Sequence, residues 1–117
     1  MTKPRHTVVA SVSTLAERIE ALEPELRAWA YFDAELALEQ ARHLEAREVG
    51  GPLHGVPVGV KDIFDTADMP TEYGSPIYAG HRPRIDAAAV TRLRAAGAVV
   101  MGKTVTQLAS GENPFST

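Results

Sequence analysis

The residues of this 117-residue chain whose types and spacing could do chemistry centre on Lys61. It closes the run Gly51-Pro52-Leu53-His54-Gly55-Val56-Pro57-Val58-Gly59-Val60-Lys61-Asp62. Residues two apart in an extended strand share a face, so Val56, Val58 and Val60 fall on one side. Pro57, Gly59 and Lys61 fall on the other, which carries almost no bulk before the lysine and lets another group approach the backbone. A lysine beside apolar packing is a candidate for a depressed pKa, and a neutral amine can accept a proton. From the pattern alone the better reading is a solvated lysine at a strand end, paired with Asp62, as most lysines are.

Other chemistry-bearing patterns are weaker. Gly97-Ala98-Val99-Val100-Met101-Gly102-Lys103-Thr104 satisfies the phosphate-loop pattern in form. Its intermediate residues are apolar strand formers preceded by a helix, whereas a phosphate loop follows a strand and turns its N–H groups to the ligand. The expectation is a strand followed by a turn containing Lys103, with no nucleotide bound. His6, His43, His54 and His81 lack paired spacing and acidic neighbours at ligand intervals, so no metal and no cofactor is expected. His54 reads as a packing or hydrogen-bonding residue of a Gly/Pro-rich loop. Trp29, Tyr31 and Phe32 lack interleaved basic residues and read as core.

Composition narrows the classes further. The chain is 44% apolar and 23% charged, close to globular averages. A formal charge of −3 and no basic run argue against nucleic acid or anionic lipid as a partner. There is no cysteine, which removes disulfides and thiolate chemistry and fits a reducing compartment. No stretch approaches the roughly 20 apolar residues of a membrane span, and the N-terminus lacks a signal-peptide core. A soluble, cytoplasmic protein is expected.

The elements that must position these residues follow from periodicity. Thr14 and Glu17 form a capping-box pattern, with Leu15, Ile19 and Leu22 on one helical face until Pro24 stops the run. Residues 26–32 alternate as a strand. Asp33 is placed to cap a second helix with Ala34, Ala37, Leu38, Ala41 and Leu44 inward, ended by Gly50-Gly51-Pro52. Asp86 is placed to cap a third, with Ala89, Val90, Leu93 and Ala96 inward and Gly97 at its end. Ala98–Met101 is a short buried strand. Strand, crossover helix and strand give an α/β fold with a mixed or mostly parallel sheet, left incomplete with an open edge through which oligomers could form.

The segment Gly51–Asp62 resembles the lysine-bearing segment of the amidase-signature family. Asp65-Thr66-Ala67, Met69-Pro70-Thr71 and Gly74-Ser75 resemble it too, as do Asp86-Ala87-Ala88-Ala89-Val90 and Leu93 through Thr104. These matches run in order over residues 51–109. The resemblance implies the N-terminal portion of a single domain over 1–117, with a helical leader at 1–50 and the lysine-bearing core at 51–109. Residues 110–117 correspond to a loop interrupted before the family's Gly/Ser-rich segment.

The resemblance makes Lys61 the catalytic lysine of a triad completed by a nucleophilic serine and a bridging serine on a cis peptide bond. The reaction implied is hydrolysis of a small carboxamide at its C–N bond, with burial lowering the lysine pKa. Ser75, Ser110 and Ser116 do not match the family's serines, so the chain alone is expected to be inactive. The alternatives are a non-catalytic interaction fragment and a glutamyl-tRNA amidotransferase A-type subunit. Asp68 stands where the family usually has glycine, a position read as a left-handed turn that Asp tolerates. Gln107 stands where glutamate is common.

Overall fold

The computed structural model describes residues 7–47 and 51–106. The first helix, α1, runs Val8–Leu26 and is capped by Thr7, whose hydroxyl accepts from the Ala10 N–H at 2.9 Å. This corrects the capping box at Thr14, which is an exposed residue inside the helix. Pro24 does not stop the helix either. It sits in the exposed last turn, where the i−4 carbonyl it deprives can turn to water. The stop comes at Arg27, in the left-handed region at φ 48. The Glu23 carboxylate then accepts from the Ala28 and Trp29 N–H groups at 2.9 and 3.1 Å, turning the chain into a strand.

That strand, β1, is Trp29–Phe32, shorter than expected. Asp33 caps α2 (Ala34–Glu45) as expected, accepting from the Glu35 and Leu36 N–H groups. Ala37, Ala41 and Leu44 are buried along the anticipated stripe. The helix ends at Glu45, before the glycines read as its stop, and residues 48–50 lie outside the described residues.

After β2 (Pro57–Lys61), a long irregular segment with a short 3-10 turn at Pro76–Tyr78 leads to α3 (Ala88–Ala95) and β3 (Val99–Thr104). Asp86 does not cap α3; Ala87 holds that position with no side-chain bond. The Asp86 carboxylate has a tertiary task instead, accepting from the Ala67 N–H at 2.8 Å and pairing with Arg94 at 3.1 Å. Val90 is the buried residue of α3, Leu93 is half-buried, and Ala89 faces outward against expectation.

The sheet is mixed, in the order β1-β3-β2, with β1 antiparallel and β2 parallel to β3. β2, α3 and β3 form the anticipated βαβ unit. The strand from the leader half pairs directly with the core half. Helices α1 and α2 cover one face over Val99 and Met101, with Trp29 and Phe32 packed in. Val60, Val90, Val100 and Met69 form the core of the other face. β3 extends through Thr104, so Lys103 lies within the strand and not in a following turn.

Where β1 ends at Phe32, a side chain takes over its pairing. The Gln40 amide accepts from the Val100 N–H at 3.0 Å and donates to the Val100 carbonyl at 2.9 Å. Val100 thus gains on its α2 side the two bonds a neighbouring strand would make, which leaves no buried backbone group orphaned there.

Candidate active site

Lys61 is the last residue of β2, paired in register with Thr104, the last of β3. Both mark carboxyl ends of parallel strands, the end of an open α/β sheet beyond which ligands bind. Lys61 is exposed, and among the described residues its amine has no hydrogen-bond or ion-pair partner. The burial expected of it is therefore not supplied by residues 7–47 and 51–106.

The low-bulk face before Lys61 is real and its occupant is Trp29. A Cβ on Gly59 would meet the Trp29 ring at 3.2 Å and Thr104 Cγ2 at 2.9 Å. A Cβ on Gly102 would meet the Tyr31 carbonyl at 2.5 Å and the same ring at 3.0 Å. The indole thus packs against two glycines of paired strands, and Lys61 and Thr104 stand beyond it on that face.

The opposite face holds a second lysine. Val60 pairs with Lys103, so Lys103 points away from the Lys61 side. It is fully buried, 3.2 Å from Asp62 Oδ1 and 2.6 Å from Thr71 Oγ1. Burial lowers its pKa below the usual lysine value, while the hydrogen bond and charge of Asp62 work the other way. The expectation of a turn at Lys103 missed its burial and its partners. The signal present was a lone cation directly after the apolar run 98–102, within reach of the same buried strand, where lysine is rare unless paired.

The segment after β2 folds back around this pair. Tyr73, at φ 55, and Gly74, at φ 69, are both left-handed and reverse the chain. Tyr73 donates its phenol to Asp65 at 2.5 Å, and its pKa rises from 10.0 to about 12, chiefly through that bond. Asp68 is not left-handed; its carboxylate accepts two bonds from Arg94 Nη2 at 2.9 and 3.0 Å. Asp68 therefore serves an ion pair and not the left-handed turn expected of it.

A cleft of about 260 Å³ opens at this end, lined by Ala30, Asp62, Glu72, Gly74, Ser75 and Val105 among others. Lys61 is not part of its wall. Ser75 is nearly buried and its hydroxyl accepts from the Ile77 N–H at 3.3 Å, capping the 3-10 turn. Ser110, Ser116 and Gln107 lie outside the described residues.

His54 packs its backbone against Gly97, where a Cβ would come within 2.8 Å of His54 Cα. Its Nδ1 is buried with no partner among the described residues. Among those residues, no group of three or more His, Asp or Glu could hold a metal ion, and no helix is long and apolar enough to cross a membrane.

Comparison with known proteins fits this geometry. The family model described as Amidase matches residues 10–112. The inferred amidase AmiD of Mycobacterium tuberculosis is 50% identical over 95 residues, covering 78% of this chain and 20% of that protein. The A-type subunit of the glutamyl-tRNA(Gln) amidotransferase of Salinispora arenicola is 48% identical over 92 residues, covering 75% and 19%. The crystal structure of native peptide amidase from Stenotrophomonas maltophilia superposes with a TM-score of 0.76 at 38% identity, over 85% of this chain and 21% of that one. The chain thus spans about a fifth of the length of the curated relatives it matches. With the sheet, the glycine-paved strand pair and the match over residues 10–112 in agreement, the chain belongs to the amidase family.

Proposed function

We propose that this chain is the lysine-bearing part of a hydrolase that cleaves the C–N bond of a small carboxamide, with Lys61 as the base of a Ser-cisSer-Lys triad. The observation that carries the reading is the placement of Lys61. It stands at the carboxyl end of a parallel strand, exposed, just beyond the Trp29 ring that packs on Gly59 and Gly102. In its neutral form an amine at this place can accept the proton of a bridging serine, which takes it from the attacking serine. The serine oxygen then adds to the amide carbonyl, the developing oxyanion is held by backbone N–H groups, and the amine leaves with the returned proton. Water then attacks the acyl-serine ester, releasing the acid and restoring the serine hydroxyl.

The resemblance assigns the serines and the N–H groups to a Gly/Ser-rich segment, and residues 1–117 hold no match to it. Residues 1–117 alone are accordingly expected to be inactive. Detection of amide hydrolysis by the isolated chain, abolished by Lys61→Ala, would overturn that expectation. Hydrolysis of carboxamides by the full-length protein, lost in Lys61→Ala, tests the main reading. The lack of cysteine fits a cytoplasmic setting.

The amidotransferase reading is favoured by relatives of that name at 48% identity. It would have the same lysine serve ammonia release from glutamine for a partner chain. Glutamine turnover that depends on an added partner, with no turnover of simple carboxamides, would select it. The interaction-fragment alternative rests on the outer edges of β1 and β2, which pair with no strand among the described residues. Tight self-association of the folded fragment would favour it.

A further inference from the structure

The described residues hold one buried cation that the proposed reaction does not use, and it is tied to the residue next to Lys61. The Lys103 ammonium has three donor positions, and three acceptors surround it: Asp62 Oδ1 at 3.2 Å, Thr71 Oγ1 at 2.6 Å and the Pro70 carbonyl at 3.4 Å. Asp62 is only 3% exposed and is held at every polar group. Its carboxylate also accepts from the Glu72 N–H at 3.3 Å, its own N–H donates to the Thr104 carbonyl at 2.9 Å, and its carbonyl accepts from the Tyr73 N–H at 3.0 Å. The Lys61 carbonyl accepts from the N–H groups of Ile63 at 2.7 Å and Phe64 at 3.0 Å.

A buried ion pair is a poor device for stability alone. Desolvation of two charges offsets much of their attraction, and an apolar pair of similar volume is often as stable. What three directed bonds on one ammonium supply is a fixed position. The residue fixed is the neighbour of Lys61, whose long flexible stem makes its reach depend on where the backbone releases it.

We propose that the Lys103–Asp62 ion pair is a positioning device for Lys61, holding the end of β2 so that its amine meets the group it serves. Lys103 lies behind the sheet, away from the Lys61 face, and acts on the reaction only through Asp62. The inference rests on the assignment of Lys61 as the base.

The test uses the full-length protein with a carboxamide substrate and two variants, Lys103→Met and the paired Asp62→Asn/Lys103→Met. The paired variant removes both charges and strands neither. Both are expected to unfold cooperatively, with kcat down about 10²-fold, the cost of misplacing a reacting group by about 1 Å. KM should stay within about threefold, because the interaction lost is not one made to bound substrate. In a Lys61→Ala background the paired change should cost nothing further, since a residue that acts through Lys61 cannot act without it.

A merely structural role would lower the residual rate in that background by the same factor, and that result overturns the proposal. So does a folded paired variant with kcat within about threefold of the wild type, well short of the loss that displacement of Lys61 entails. Failure of both variants to fold would assign the pair to the core alone and overturn it too. Wild-type turnover by Lys61→Ala on its own would remove the base assignment first, a result distinct from these three.

Discussion

Lys61 and Lys103 stand on opposite faces of the same pair of strands, one exposed and one fully buried. The two share neither environment nor task. Lys61 faces the end of the sheet where a substrate can reach it, and Lys103 is spent on Asp62 and Thr71.

The two glycines beneath Trp29 should respond unequally to added bulk. A Cβ at Gly102 meets the Tyr31 carbonyl, which is backbone and cannot move aside. At Gly59 the obstacles are the Thr104 methyl and the indole, both side chains. Gly102→Ala is expected to cost about 2–3 kcal/mol and Gly59→Ala about 1 kcal/mol, within the usual range for overpacking. Denaturant unfolding of the two variants checks the order.

Gln40→Leu should destabilise although it preserves an apolar stem. It leaves the N–H and carbonyl of Val100 without the partners they have now, at 3.0 and 2.9 Å. A loss of about 2 kcal/mol is expected, from groups that are left unpaired and only partly hydrated. Hydrogen exchange at the Val100 amide should quicken with it.

Asp68→Gly removes one side of the ion pair with Arg94 and should matter little. The Arg94–Asp68 pair is partly exposed, at 24% and 31%, so water and salt already weaken it. A change within about 1 kcal/mol is expected. Asp86→Ala should cost more, since Asp86 also accepts from the Ala67 N–H. Thermal unfolding of the two variants side by side checks the ranking.

Tyr73 should be a late-ionising tyrosine, with its pKa raised from 10.0 to about 12 by the bond to Asp65. Between those values the folded chain keeps a proton that the unfolded chain has lost. Stability from this group is therefore complete below pH 10 and declines as pH rises toward 12. A spectrophotometric tyrosinate titration should show one fewer late group in Asp65→Asn.

How much of this is legible in the sequence depends on how local each signal is. Asp33 is readable as a cap because the N–H groups that donate to it lie two and three residues away. Asp86 has the same look, but its partners are Ala67 and Arg94, and tertiary bonds leave no local pattern. Thr14 resembles a helix start because the box pattern cannot tell that Thr7 has already begun the helix. Pro24 misleads because proline is tolerated in a solvated last turn. The face carrying Gly59 and Lys61 is visible as alternation, yet the indole that fills it comes from 30 positions earlier. Lys103 stands out locally only as part of a false phosphate loop, and its pairing with Asp62 spans 41 positions.

The most direct measurement is the turnover of a carboxamide by the full-length protein with and without Lys61. Lys61→Ala is expected to keep the fold and to lower kcat by about 10³-fold or more, as loss of a positioned base does. A folded Lys61→Ala protein that turns over the amide within a few-fold of the wild type would contradict it.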